Sequence, residues 1–195
     1  MIRNIGITGN IGSGKSTVAH LFELMGIPIY IADKEARKFF LDQTVISDIQ
    51  KIAGNLILDG QQQIDRRILA EILFAKPDLL SAVNHIIHPR VMKDYLQWSK
   101  AQIQAPFTLF ESAIIFENGL ETNFDKIINI DCPEEIAIMR AAKRDHQTEE
   151  EIKSRLAHQM SSEIKNKKAD FVIYTDDRHS VIAQVISIFR ELSKK

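Results

Sequence analysis

The sequence holds a single cysteine, Cys132, among 195 residues. No intrachain disulfide can form, and a reducing compartment, the cytoplasm, is the expected setting. Cys132 stands before Pro133 at the end of an apolar run. No sequence neighbour would lower its pKa, so it reads as a small packed residue rather than a nucleophile. No apolar run has the length of a bilayer span, and Met1-Ile2-Arg3 leads straight into a strand-like stretch rather than a signal peptide. Neither sign of charge is in excess: 25 Lys and Arg stand against 26 Asp and Glu, a formal net charge of −1. That balance argues against a basic nucleic-acid binder and against a disordered acidic chain, so neither nucleic acid nor a membrane is an expected partner. There are no linkers, repeats or low-complexity tracts. Proline numbers 5 and glycine 8, and four of the glycines (Gly6, Gly9, Gly12 and Gly14) crowd into the first 14 residues.

The last three of these belong to Gly9-Asn10-Ile11-Gly12-Ser13-Gly14-Lys15-Ser16, followed by Thr17. The spacing is G-x-x-x-x-G-K-[ST], the phosphate-binding P-loop. Each residue type has a physical task. Gly12 and Gly14 let the backbone turn through conformations closed to other residues and bring N–H groups up to a polyphosphate. Lys15 supplies a cation for the β- and γ-phosphates, and the Ser16 hydroxyl is a ligand for Mg²⁺. Ser13, Ser16 and Thr17 lead into a helix whose positive end faces the anion. Context agrees with the motif: Ile5, Ile7 and Thr8 read as a buried strand before the loop. Val18, Leu21, Phe22 and Met25 recur at helical spacing after it, and Gly26 stops the helix.

Further along, Ile27 to Ile31 reads as a second strand, and a helix begins near Lys34 with Ala36, Phe39, Phe40 and Leu41 turned inward. Asp33 therefore stands at the carboxyl end of a strand, where open α/β sheets collect ligands, or serves as a helix N-cap. From Val45 to Gln104 the chain reads as helical, with breaks at Gly54 and Gly60, an exposed turn at Gln61-Gln62-Gln63, a cap at Asp65 and a fresh start at Pro77. His88-Pro89 should interrupt or kink the last of these helices. His85 and His88, three apart, lack a third metal ligand and read as packed or hydrogen-bonded. Strands are then expected over Phe107 to Ile115, Lys126 to Asp131 and Phe171 to Tyr174. Two of these contain an apolar run ending in an acid, Glu111 and Asp131. Either would suit a metal-holding carboxylate, and the sequence ranks neither. Pro133 opens a helix carrying Ile136, Ile138 and Met139, with Arg140, Lys143 and Arg144 toward its end. Thr148 and Glu151 form a capping box for the next, which takes in Ile152, Arg155, Leu156, Gln159 and Met160. Two helices joined by a basic turn suit a lid that closes arginines over a transferring phosphoryl group. A last helix from about Ser180 buries Val181, Ile182, Val185, Ile186, Phe189 and Leu192.

The ordered set of motifs resembles the dephospho-CoA kinases. The P-loop from Ile7 to Thr17, Ala32-Asp33-Lys34-Glu35-Ala36-Arg37, Asp65-Arg66 with Leu69, His88-Pro89 and Ile114-Ile115-Phe116-Glu117 carry the likeness. So do Arg140, Arg144, Arg155, Gln159, Lys165 and Ala169-Asp170. The chain departs from that pattern at Ile31 and Glu111, where the family often has Asp, at Ala113, where it has Pro, and at Ala137 and Thr175, where it has Gln and Asn. The resemblance implies a three-layer αβα P-loop fold with a five-stranded parallel sheet, in three parts. They are a core (about 1–32, 105–132 and 169–195), a helical substrate-binding insertion (about 33–104) and a lid (about 133–168). It implies ATP and Mg²⁺ as cofactors and dephospho-CoA as the small-molecule substrate. Lys15, Asp33 and Arg140 would act in catalysis. Gly12, Ser13, Gly14, Lys15, Ser16, Thr17 and Arg144 would bind the nucleotide, Ser16 the metal, and Asp33, Arg66 and His88 the acceptor. A monomer or weak homo-oligomer is expected. Two other readings stand beside it: a small P-loop kinase for a nucleoside monophosphate or other metabolite, and a nucleotide-binding regulatory module. A guanine-reading Asn-Lys-x-Asp does not occur.

Overall fold

The computed structural model describes residues 2–61 and 63–194, and the side chains at 66, 74, 75 and 77 lie outside the described set. In chain order the elements are β1 (Arg3–Gly9), α1 (Lys15–Leu24), β2 (Ile29–Ile31), α2 (Ala32–Phe39), α3 (Gln43–Ala53), α4 (Arg66–Ala75) and α5 (Pro77–Lys100). Then come β3 (Phe107–Glu111), β4 (Lys126–Asp131), α6 (Glu134–Asp145), α7 (Glu149–Leu156), α8 (Ser162–Lys168), β5 (Phe171–Tyr174) and α9 (Val181–Leu192). Two compact units result: Met1–Ile31 with Ser99–Lys195, and Ala32–Trp98.

The first unit holds one parallel sheet of order β2-β3-β1-β4-β5, with β1 at its centre. Central parallel strands are covered on both faces, so they read as unbroken apolar runs. Ile5 and Ile7 of β1, Phe107 and Leu109 of β3, and Ile128 and Ile130 of β4 are fully buried. Val18 and Phe22 of α1 and Val185, Ile188 and Leu192 of α9 pack on them as one cluster. A second, smaller cluster joins Ile11 of the phosphate loop to Ile138 and Ala141 of α6 and Ile152 of α7.

Helix boundaries follow local chemistry. Gly14 enters α1 at φ +88°, and Gly26 leaves at φ +83°, the left-handed region that favours glycine. Thr148 and Glu151 form the expected capping box on α7, and the Ser161 and Ser180 side chains cap α8 and α9. Several boundaries differ from expectation. β2 begins at Ile29, because Pro28 has no N–H to give to a ladder. β3 stops at Glu111, and the apolar residues after it form a buried turn in which Ile115 is 0% and Phe116 5% exposed. α7 ends at Leu156, so Met160 lies in the connection to a further helix, α8. Met139 and Ile182 point outward, at 57% and 60% exposed.

The second unit is helical. Val45, Ile46 and Ile49 of α3, Leu69 of α4, and Val83, Ile87, Val91 and Tyr95 of α5 are buried. The Asp65 carboxylate caps α4 by accepting the amides of Arg67 and Ile68, and a one-bridge contact between Leu58 and Ile64 closes the loop before it. Gln61 is exposed, while Gln62 lies outside the described residues. α5 runs unbroken through Pro89 for 24 residues; the expected interruption does not occur. Residues on both sides keep the same helical period, and Arg90 adds a side-chain bond to the Ile86 carbonyl (2.7 Å) while pairing with Asp48 of α3 at 3.0 Å. α2 starts at Ala32, so Asp33 sits inside the first turn rather than capping it, and Leu41 is 70% exposed. Among the described residues no helix is long and apolar enough to cross a membrane.

Candidate active site

The loop between β1 and α1 is fixed from two sides. At Gly12, φ is +76° and a Cβ would fall 1.9 Å from the Ala137 carbonyl oxygen of α6, so only glycine fits. On the other side the Thr175 hydroxyl donates to the Ser13 carbonyl at 2.8 Å. Both contacts come from positions that depart from the family pattern, Ala137 and Thr175. Ala137 acts through its backbone and Thr175 through the one hydroxyl it has. The Ile11 amide donates to Oε1 of Gln159 at 2.9 Å, which ties the segment after α7 to the loop.

Lys15 curls back over this loop and donates to the carbonyls of Gly9 (2.9 Å) and Asn10 (3.0 Å). Ser16 and Thr17 are exposed in the first turn of α1, where the amides have no partner within the helix and the dipole is positive. The Ser16 hydroxyl donates to Oε1 of Glu111 at 3.2 Å, across 95 residues of sequence. Glu111 is brought there by register: β3 lies parallel to β1 with Glu111 opposite Ile7, so its carboxylate rises beside the loop. The other candidate acid has a different occupation. Asp131 accepts the Ser162 hydroxyl on one oxygen and the Asn166 amide on the other, the latter at 2.7 Å. Glu111 is thus the acid at Ser16, and Asp131 holds α8.

The lid arginines separate in the same way. Arg144 makes a two-pronged contact with Asp145, at 2.7 and 2.9 Å. Its pKa is raised first by that bond, with Asp145 and then Glu111 adding negative potential. Arg155 also donates to Asp145, at 3.2 Å. Arg140 instead donates to the Thr175 carbonyl (3.0 Å) and to the Asp177 carboxylate (2.8 Å) on the loop after β5. Beside it Cys132 is buried, and burial pushes its thiol pKa up, the opposite of an activated nucleophile.

A cavity of about 360 Å³ adjoins the outer side of the loop, lined by Asn10, Ser13, Glu134, Lys153 and Gln159 among others. The Asn10 Oδ1 and Ser13 Oγ atoms are buried there without hydrogen-bond partners.

In the second unit, Asp33 is exposed on α2 and His88 is half-buried on α5. Burial lowers the His88 pKa, Asp33 opposes that shift and His85 reinforces it, so the two expected acceptor residues lie within electrostatic reach of each other. His85 is exposed, with Nδ1 2.7 Å from the Ser81 carbonyl. The Arg66 backbone opens α4, and its side chain lies outside the described residues. Among the described residues no group of three or more His, Cys, Asp or Glu is arranged to hold a metal. Sequence reasoning missed Asp145 and the role of Glu117 altogether. Asp145 follows Arg144 directly, and that Arg-Asp adjacency was the available signal.

The family model described as CoaE, dephospho-CoA kinase, matches residues 3–180. A dephospho-CoA kinase of Bacteroides fragilis is 39% identical over 196 residues, covering 100% of this chain and 95% of the relative. A solved Thermus thermophilus protein superposes with a TM-score of 0.84 at 30% identity, over 98% of both chains. The dephospho-CoA kinase of Campylobacter jejuni does so with a TM-score of 0.69 at 28% identity, over 99% of this chain and 98% of that one. With a matching family model over most of its length, the chain belongs to the dephospho-CoA kinase family.

Proposed function

We propose that this chain moves the γ-phosphoryl group of ATP onto the ribose 3′-hydroxyl of dephospho-CoA, giving CoA and ADP. The observation that carries the reading is the meeting of Ser16 and Glu111 beside a complete phosphate loop. The loop amides and Lys15 take the β- and γ-phosphates; to do so the Lys15 ammonium exchanges the Gly9 and Asn10 carbonyls for phosphate oxygens. The Ser16 hydroxyl and the Glu111 carboxylate are hard oxygen donors 3.2 Å apart, a set that fits Mg²⁺, which takes one or two carboxylates and completes its shell with water and phosphate. When bound, the ion neutralises charge on the phosphates.

Asp33 is assigned to the acceptor. It follows β2 by two residues and keeps an exposed carboxylate in the first turn of α2, which supports a role in taking or orienting the 3′-hydroxyl proton. Arg66 and His88 are assigned to dephospho-CoA binding. Arg144 is favoured over Arg140 for the transferring group. Glu111 already adds negative potential at Arg144, and to reach a phosphate it would leave one partner, Asp145, where Arg140 would leave two, Thr175 and Asp177. The enzyme is read as cytoplasmic, and as a monomer or weak homo-oligomer.

A coupled assay of ADP release tests this. Release should require dephospho-CoA, and the product should carry its new phosphate on the 3′-oxygen. In Asp33→Asn, turnover should fall about 10²–10⁴-fold, the usual range for loss of a general base. Thermal stability should stay near wild type, since the carboxylate's effect on the α2 dipole is worth only about 0.3–1 kcal/mol. Full activity in that variant would remove Asp33 from the mechanism. ADP release indifferent to the acceptor would contradict the whole reading.

A further inference from the structure

Beyond Glu111 the chain enters the turn 112–119, and one side chain reaches into it from α8. Lys165 is 0% exposed. Its ammonium donates to the Ala113 carbonyl at 2.7 Å and lies 2.8 Å from Oε1 of Glu117. The same Glu117 oxygen accepts the Met160 amide at 2.8 Å. Burial lowers the lysine pKa and Glu117 opposes the shift. A buried ion pair is a poor stabiliser, because desolvation offsets the attraction and an apolar pair of the same size often serves as well. What the charged pair adds is direction. It holds Ala113, two residues past Glu111, and Glu117, four residues further on.

α8 is itself anchored. Ser162 and Asn166 bond both oxygens of Asp131, and Asn166 also accepts the Asn129 side-chain amide at 2.6 Å. Positions 162, 165 and 166 share one helix face. Contacts therefore run from the end of β4 through this face of α8 to the turn after β3. At the near end of that turn is the carboxylate that accepts the Ser16 hydroxyl.

We propose that Lys165 is a positioning residue, which fixes the turn 112–119 through Ala113 and Glu117 and so keeps Glu111 aimed at Ser16. The proposal rests on the reading of Ser16 and Glu111 as the metal-holding pair. Three variants test it: Glu111→Gln, Lys165→Met, and Lys165→Met combined with Glu117→Gln, which removes both charges but keeps an acceptor for the Met160 amide. The readouts are thermal unfolding and calorimetric ATP affinity, measured in EDTA and again in excess Mg²⁺. The double variant should melt within a few degrees of the parent and bind ATP in EDTA as the parent does. It should lose about 10–100-fold of the tightening that Mg²⁺ adds, as expected when the support of a ligand is removed. Full Mg²⁺ tightening in the double variant, with tightening lost in Glu111→Gln, would overturn the positioning role alone. Failure of both lysine variants to fold would assign the pair to folding and overturn it too. Undiminished tightening in Glu111→Gln would instead remove the metal reading, and this proposal with it.

Discussion

The ends of β3 and β4 look alike in sequence and do different work. Each is an apolar run closing on an acid, Phe107–Glu111 and Lys126–Asp131, and each flanks β1 in the same sheet. Glu111 meets the Ser16 hydroxyl in the first turn of α1, a group that a phosphate-bound metal would also use. Asp131 meets a serine and an asparagine of α8 and is taken up in holding that helix. The strand delivers a carboxylate to the edge of the site, and the helix lying over that strand end decides what it does. The lid arginines repeat the lesson. Arg140 and Arg144 lie one turn apart on α6, yet the first is held by the loop after β5 and the second by its neighbour Asp145, with Glu111 adding negative potential there.

After Glu111 itself, the largest effect expected from this contrast is on the arginines. Arg144→Ala should lower single-turnover transfer by roughly 10²-fold, the scale of losing one charge-stabilising donor, with ATP affinity changed less. Arg140→Ala should lower transfer by less than Arg144→Ala does. Its exposed pair with Asp177 is of the kind worth about 0–1 kcal/mol. A larger loss of transfer in Arg140→Ala would reverse the assignment.

Next comes Asp131. Asp131→Ala leaves the Ser162 hydroxyl and the Asn166 amide without their acceptor, a change that costs about 1–3 kcal/mol. For a chain of this size each kcal/mol lowers Tm by about 2–4 °C. Calorimetry should show that drop, while Mg²⁺-dependent ATP binding by the folded protein stays close to wild type. An unchanged Tm with lost metal dependence would place Asp131, not Glu111, at the metal.

The smallest effect belongs to an acid that ties down the loop after β5. Asp176 accepts the amides of Arg178 and His179 and pairs with the His179 ring. The His179 amide contributes most, and together these contacts hold its carboxyl pKa down to about 2 from an ordinary 3.8. A carboxyl with a depressed folded pKa contributes stability above its unfolded pKa and loses it as pH falls through the folded value. Melting temperatures should therefore fall less steeply in Asp176→Asn than in the parent over that window, and converge at its acid end. Parallel curves would show that the loop does not hold this carboxylate in solution.

How far the sequence could be read depends on what each signal records. The P-loop was legible in full because its residues answer backbone demands, such as the positive φ at Gly12 and Gly14, that hold in any fold. The bounds of β4 and β5 were legible because strand ends there coincide with a change of polarity. β3 ends four residues short of the expected Ile115, since Ile115 is apolar for burial in a turn and not for a ladder. Pro89 misled because a missing N–H is tolerated where the helix face continues on both sides. α8 went unseen because its inward face is Ser162, Lys165 and Asn166, and a buried lysine looks like surface in any hydropathy pattern. The choice between Glu111 and Asp131 was beyond reach for the same reason. It is made by residues 95 positions before the first and some 30 positions after the second.

The most direct test of the account is single-turnover phosphoryl transfer by Glu111→Gln at saturating ATP and dephospho-CoA, titrated with Mg²⁺. Gln keeps the shape and an oxygen for Ser16 but not the charge. Transfer should fall about 10²–10³-fold, the loss typical of one electrostatic group at the reacting centre, with the Mg²⁺ midpoint moved to higher concentration and the melting temperature unchanged. Wild-type transfer at the wild-type Mg²⁺ midpoint would contradict the claim that the acid at the end of β3 serves the metal.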